Sequence, residues 1–170
     1  LPLIGNHNLK NYVCAILAAQ IDGVKISDSI VSLKSFLGVK RRMEKIYESN
    51  VIKIYDDFAH HPTAIRLSSM ALKNKYPDRK ILGIIELGSN TMSSGYHKNN
   101  LLNSFESFDR VLILDHRNNL KEKYKYQFES YETLNNEIRN TFKDYDIILI
   151  MTNKDSKKII NPLLKEIEKK

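Results

Sequence analysis

At 170 residues the chain is long enough for one packed domain and a satellite segment, and its 42% hydrophobic and 28% charged residues exclude wholesale disorder. Its single cysteine excludes an internal disulfide and any cysteine-based zinc cluster, and no apolar run is long enough to cross a bilayer as a helix. Lysine and arginine outnumber the acids 27 to 20, a formal charge of +7; the lysines are scattered without interleaved aromatics, so no nucleic-acid or membrane partner is expected, and an anionic small substrate or a nucleotide accounts for the surplus equally well.

Leu1-Pro2-Leu3-Ile4-Gly5 reads as a strand cut short, as if the chain started within a longer protein. Helical periodicity from about Asn8 to Ile21 sets Leu9, Val13, Ile16, Leu17 and Ala19 toward a core, with Cys14 buried in the same pattern. Asp22-Gly23 stops it. A second helix, capped by Ser27, spans about Ser27 to Leu37 and ends at Gly38. The two form a hairpin with no sheet of its own, the tail of a preceding domain.

Beyond the basic Lys40-Arg41-Arg42, strands and helices alternate. A strand pair covers about Met43 to Tyr55, with Ser49-Asn50 at its turn. A helix spans Pro62 to Lys75, a buried strand Lys80 to Leu87, and a helix His97 to Phe105, preceded by the polar loop Gly88 to Tyr96. Arg110 to Leu114 is a strand, Asp115 to Ser130 a polar connection with a short strand at Tyr126 to Phe128. A helix at Glu132 to Phe142, a strand at Asp146 to Met151 and a last helix from Ser156 complete the pattern. The expected fold is α/β: a Rossmann-like, mostly parallel sheet with helices on both faces, preceded by the helical hairpin.

Four constellations could carry chemistry. Gly5-Asn6-His7-Asn8-Leu9-Lys10-Asn11 opens the first helix; its amides, Asn8 and Asn11 on one face, suit the edge of an adenine ring, although asparagine is also an ordinary helix cap. Arg41-Arg42 offers guanidinium forks for phosphate, or is a solvated basic linker. Asp56-Asp57-Phe58-Ala59-His60-His61-Pro62 lies between the carboxyl end of a strand and the amino end of a helix, the edge at which open α/β sheets bind ligands. Its carboxylates suit ribose hydroxyls or magnesium, and its histidines suit a phosphate or an attacking amine. Gly88-Ser89-Asn90-Thr91-Met92 and Gly95-Tyr96-His97-Lys98 occupy a similar strand-to-helix position and suit an anion, or form a polar turn. No Gly-x-x-x-x-Gly-Lys-Ser/Thr phosphate loop and no Gly-x-Gly-x-x-Gly signature occurs.

In this order, Gly5-Asn6-His7-Asn8-Leu9-Lys10-Asn11, Arg42-Met43-Glu44 and the Asp56–Ala64 loop resemble the Mur ligases of bacterial cell-wall synthesis, and Ser89-Asn90-Thr91-Met92 resembles their peptide-recycling branch. The resemblance implies that residues 1–39 close the central ATP-binding domain and residues 40–170 form the C-terminal domain. It implies an ATP-dependent ligase that joins the tripeptide L-Ala-γ-D-Glu-meso-diaminopimelate to UDP-N-acetylmuramic acid through an acyl phosphate, in the cytoplasm. His7, Asn8 and Asn11 would line the adenine pocket, Arg42 would reach the phosphates, Asp57 the ribose and His60 the phosphate end, with His60 and Asp57 catalytic. Ser89, Asn90, Thr91, Met92, His97 and Lys98 would hold the tripeptide.

ATP and Mg2+ are the implied cofactors, with the magnesium ligands mostly outside this chain and no metal site expected within it. The phosphate loop would come from the rest of the ligase, so these residues alone are expected to be inactive. Glu86-Leu87-Gly88 stands where recycling ligases usually read Glu-Pro-Arg, so one anion contact is expected to be lost. A fragment of the L-alanine-adding ligase, or a non-catalytic remnant that binds peptide or nucleotide, are the other readings.

Overall fold

The computed structural model describes residues 3–88, 98–117 and 124–169, the side chains of 98 and 99 excepted. Among them, α1 (Asn6–Ile21) and α2 (Ile26–Ser32) precede β1 (Glu44–Glu48), β2 (Lys53–Asp57), α3 (Pro62–Lys75) and β3 (Ile81–Glu86). Then follow α4 (Lys98–Asn103), β4 (Arg110–Leu114), β5 (Gln127–Phe128), α5 (Tyr131–Thr141), a 3-10 turn (Phe142–Asp144), β6 (Ile147–Met151) and α6 (Lys157–Glu168). No helix among the described residues is long and apolar enough to cross a membrane.

Six strands form one sheet in the order β1-β2-β6-β3-β4-β5. β1 is antiparallel to β2, and every other pairing is parallel. Parallel neighbours need crossovers, and the helices supply them on both faces. Ile65 and Leu72 of α3 and Leu101 of α4 pack with Tyr55, Ile81, Ile85 and Ile147 on one face. Leu134 and Ile138 of α5 and Ile159 and Leu163 of α6 pack with Ile54, Leu82, Ile84 and Ile150 on the other. This two-sided burial is why β3 and β6 read as unbroken apolar runs. The chain crosses from β2 to β3 over β6 and later returns to place β6 between them. The carboxyl ends of β2, β6 and β3 therefore stand side by side, with Asp57 and Ile85 both opposite Met151.

The expected α/β architecture is what the chain adopts. Two local expectations are corrected. The periodicity of α1 was read correctly, but the helix is turned the other way: Leu9, Val13 and Leu17 are exposed, Ile16 and Ala19 only half-buried, and Cys14 is exposed. Asn8 and Tyr12 are its buried residues. Polar bonds tie that side to the preceding segment: Tyr12 Oη accepts the Leu3 N–H at 3.0 Å, and Asn8 Nδ2 donates to the Ile4 carbonyl at 2.8 Å. The second helix starts at Ile26 with Lys25 as its cap, and ends at Ser32 rather than Leu37. Hydrogen bonds three residues apart then tighten the chain (Ser35 N–H to Ser32 O, Phe36 N–H to Leu33 O), and the Ser32 and Ser35 hydroxyls compete for carbonyls of their own turns.

Candidate functional site

Period-two alternation decides what the paired acids at the end of β2 do, because successive strand residues face opposite sides of a sheet. Asp57 turns to the α3 face. Its Oδ1 accepts the Ala59 N–H at 2.7 Å, and its Oδ2 accepts the Met43 N–H at 3.0 Å and the Ser68 hydroxyl at 3.2 Å. Burial pushes its carboxyl above the ordinary value against the pull of these donors and of the Arg42 charge. Asp56 turns to the α6 face, accepting the Ser156 hydroxyl at 2.7 Å and pairing with Arg41 Nε at 3.4 Å. Its Oδ1 is buried without a hydrogen-bond partner among the described residues. Burial raises its carboxyl too, opposed by Ser156 and Arg41.

The segment leading into β1 is held in strain beside this loop. Arg41 (φ 56°) and Met43 (φ 51°) both adopt left-handed backbone, a conformation costing an L-residue about 1–2 kcal/mol. It persists because both ends are tied: the Arg41 carbonyl accepts the Phe58 N–H at 2.7 Å, the Arg41 N–H donates to Glu44 Oε2 at 2.8 Å, and Asp57 holds Met43. The Arg41 guanidinium lies 5.1 Å from the centre of the Phe58 ring and donates to the Thr152 carbonyl. Arg42, between the two strained residues, is exposed, with no side-chain hydrogen bond or ion pair among the described residues.

These elements enclose a cavity of about 520 Å³. His7, Asn8 and Asn11 reach it from α1, Arg42 from the strained segment, Asp57 from β2 and Ser68 from α3, with Tyr12 and Phe36 as apolar wall. The volume is that of a small-molecule site. Gly5 (φ 96°) brings α1 onto α3 so closely that a Cβ there would stand 2.8 Å from Ala71 Cβ. Asn11 Nδ2 donates to Asn8 Oδ1 at 3.3 Å, so the two amides form a small ladder along the wall. Burial pushes the His7 imidazole below its ordinary value; Asp57 opposes this and Arg42 reinforces it. A neutral ring, two amides, one guanidinium and one carboxylate thus line a single pocket.

Five of the sequence-predicted residues, His7, Asn8, Asn11, Arg42 and Asp57, meet there. His60 does not line this cavity: its Nδ1 lies 3.0 Å from the Phe58 carbonyl, and its ring stands edge-on to Phe58. Since a carbonyl only accepts, Nδ1 carries the proton, and Nε2 of the neutral ring is left as an acceptor. His61 caps α3, its Nδ1 accepting the Thr63 N–H at 3.4 Å. Ser89, Asn90, Thr91, Met92 and His97 lie outside the described residues, as does the Lys98 side chain. Among the described residues, no group of three His, Cys, Asp or Glu could hold a metal ion.

One polar centre escaped the sequence reading. Glu86, buried at the end of β3, accepts the Thr152 hydroxyl at 2.6 Å on Oε2. Its Oε1 accepts the Tyr131 hydroxyl at 2.6 Å and meets His116 Nε2 at 3.2 Å. Burial and the Glu86 carboxylate hold the Tyr131 phenol far above its ordinary range. A charged residue ending an otherwise apolar strand was the available signal.

The raised carboxyl of Asp56 has a sign that can be checked. Its folded value lies above the ordinary 3.8, so the stability it contributes is fully present below the unfolded value and is lost as pH rises through the folded one. Asp56→Asn, which stays neutral, should therefore gain stability relative to the parent as pH climbs from about 3.8 upward. Urea unfolding of both proteins at several pH values measures this; a variant whose stability stays level with, or falls relative to, that of the parent as pH rises contradicts it.

The family model for the Mur ligase glutamate ligase domain matches residues 41–159. The chain is 42% identical over 113 residues to the UDP-N-acetylmuramate–L-alanyl-γ-D-glutamyl-meso-2,6-diaminoheptandioate ligase of Haemophilus influenzae, covering 66% of this chain and 25% of that protein. It is 36% identical over 113 residues to the UDP-N-acetylmuramate–L-alanine ligase of Christiangramia forsetii, with the same shares. A crystal structure of a murein peptide ligase from Psychrobacter arcticus superposes with a TM-score of 0.70 at 33% identity, covering 96% of this chain and 37% of that one. The chain thus spans about a quarter of the length of the curated relatives it matches.

Proposed function

This chain belongs to the Mur ligase family, and on that premise we propose that it is the C-terminal part of an ATP-dependent ligase joining L-Ala-γ-D-Glu-meso-diaminopimelate to UDP-N-acetylmuramic acid in cytoplasmic peptide recycling. Residues 1–39 would close the central ATP-binding domain and residues 40–170 would be the C-terminal domain. The single observation that carries the reading is the convergence of His7, Asn8, Asn11, Arg42 and Asp57 on one cavity, drawn from three separate stretches of sequence.

The donor set fits a nucleotide. The amides of Asn8 and Asn11 and the neutral His7 ring match the mixed donors and acceptors of a purine edge, and the Arg42 fork has no hydrogen-bond or ion-pair partner among the described residues. Asp57 uses three acceptor positions on backbone and Ser68, which leaves about one lone pair for a ribose hydroxyl. ATP would supply the phosphoryl group that activates the sugar's carboxylate. The chain's own part is to fix the nucleotide against the loop and, through His60 Nε2, to offer an acceptor for the proton of the attacking amine. Ser89, Asn90, Thr91, Met92, His97 and Lys98 would hold the tripeptide. The described residues do not build a magnesium site of their own, and with no Gly-x-x-x-x-Gly-Lys-Ser/Thr loop in the sequence the phosphate cradle would be supplied by the rest of the ligase.

Calorimetric titration of this chain with ATP, with the tripeptide and with L-alanine tests the reading. Arg42→Ala should weaken ATP binding by about tenfold, the worth of one charge-assisted phosphate contact. Arg42 is exposed, so folding is not at stake. Undiminished ATP affinity in this variant overturns the placement of the nucleotide. Binding of L-alanine in preference to the tripeptide would favour the activity named for the Christiangramia forsetii relative.

A further inference from the structure

The two central strands end in loops that touch. The chain leaves β3 through Leu87 and Gly88 and leaves β6 through Thr152, Asn153 and Lys154. A Cβ built on Gly88 would stand 2.2 Å from Asn153 Oδ1 and 2.9 and 3.0 Å from Lys154 Cγ and Cε. The space a side chain at 88 would enter is therefore already filled, by the Asn153 amide and the stem of Lys154.

The base beneath that lysine is fixed. The Lys154 N–H donates to Thr152 Oγ1 at 2.9 Å, and Thr152 Oγ1 donates to the buried Glu86 at 2.6 Å. Glu86 itself belongs to β3, so the lysine is tied to the strand whose loop it crosses. The side chain above is exposed, and its ammonium makes no ion pair among the described residues. Asn153 Oδ1, pressed against Gly88, is buried with no hydrogen-bond partner among them. Among the described residues, then, the Lys154 ammonium has no anionic partner; it stands at the carboxyl edge of the sheet, on a rigid mount, above a position that offers no side chain of its own.

Resting on the ligase reading above, we propose that Lys154 is a specificity-determining residue that binds a carboxylate of the incoming peptide, and that position 88 is glycine because Lys154 occupies its space. Anything larger at 88 displaces the stem and with it the ammonium. The two positions then behave as one cation site that can be supplied from either loop.

The test is calorimetry of the 170-residue chain with the tripeptide and with the same peptide amidated at its diaminopimelate carboxylates. Lys154→Gln should bind the tripeptide about tenfold more weakly and no longer distinguish it from the amide, whereas Lys154→Arg keeps most of the affinity. Gly88→Arg alone should weaken binding, and Gly88→Arg combined with Lys154→Gly should restore it, because a guanidinium from 88 then takes the vacated path. A Lys154→Gln variant with native affinity, or one that still prefers the acid to the amide, overturns the assignment while leaving the ligase reading intact. A parent chain that binds ATP but no tripeptide overturns the peptide substrate itself, and Lys154's role with it.

Discussion

Asp57→Ala should lower the unfolding free energy by about 3–5 kcal/mol, because three buried donors lose their acceptor at once and each orphan costs about 1–3 kcal/mol before relaxation. Two of the three are the backbone N–H groups of Met43 and Ala59, which have no side-chain freedom with which to find water. The Met43 bond also holds a residue in left-handed backbone, so its loss releases strain and lets the Arg41–Met43 segment leave the loop. The damage should therefore reach the cavity, with Arg42 no longer held beside Asn8 and Asn11. Asp57→Asn separates charge from geometry: it keeps one accepting oxygen but turns an amide NH2 toward at least one donor, and should cost less than alanine yet more than 1 kcal/mol, one unmade bond. Denaturant midpoints at unchanged m-value measure both. A loss below about 1 kcal/mol for alanine would mean that the buried carboxylate is not the tie between these segments.

The parts legible in the sequence were those set by short-range chemistry. The apolar runs of β3 and β6 and the Pro62 start of α3 are local facts, and strands alternating with helices imply a mostly parallel sheet, whereas the strand order that sets β6 between β2 and β3 has no local signal. Asp56 and Asp57 were read as a pair, although the alternation that marks β2 as a strand already sends them to opposite faces, one to Ser68 and the other to Ser156. The face of α1 was not legible. A stripe at Leu9, Val13 and Leu17 is the ordinary sign of a buried side, whereas the side set against the rest of these residues is the one that carries the bonds from Leu3 to Tyr12 and from Asn8 to Ile4. Glu86 itself was marked as a charge ending an apolar strand, but its partners were not legible, for a different reason. Its partners His116, Tyr131 and Thr152 come from 30, 45 and 66 residues away, and parallel strands bring such positions together without any local pattern.

That centre carries the second large effect. Glu86→Ala should destabilise the fold by about 3–5 kcal/mol, the range found when one partner is removed from a buried polar or ionic set. Thr152 and Tyr131 each lose a 2.6 Å bond, and the carboxylate leaves a void at the end of a central strand. Glu86→Gln should recover only part of the loss. Its single carbonyl oxygen can serve Thr152 or the Tyr131–His116 side, and the NH2 then faces a hydroxyl or ring nitrogen placed to donate. Because Thr152 Oγ1 also accepts the Lys154 N–H, the loss should propagate to the loop after β6. Thr152→Val separates the two arms. If Thr152 is the link between strands, Glu86→Ala and Thr152→Val together should cost less than the sum of the single changes, by 0.5 kcal/mol or more, roughly the smallest coupling a cycle resolves. Strict additivity would mean that Glu86 stabilises β3 without reaching the β6 loop, and the rigid mount under Lys154 would then have no basis.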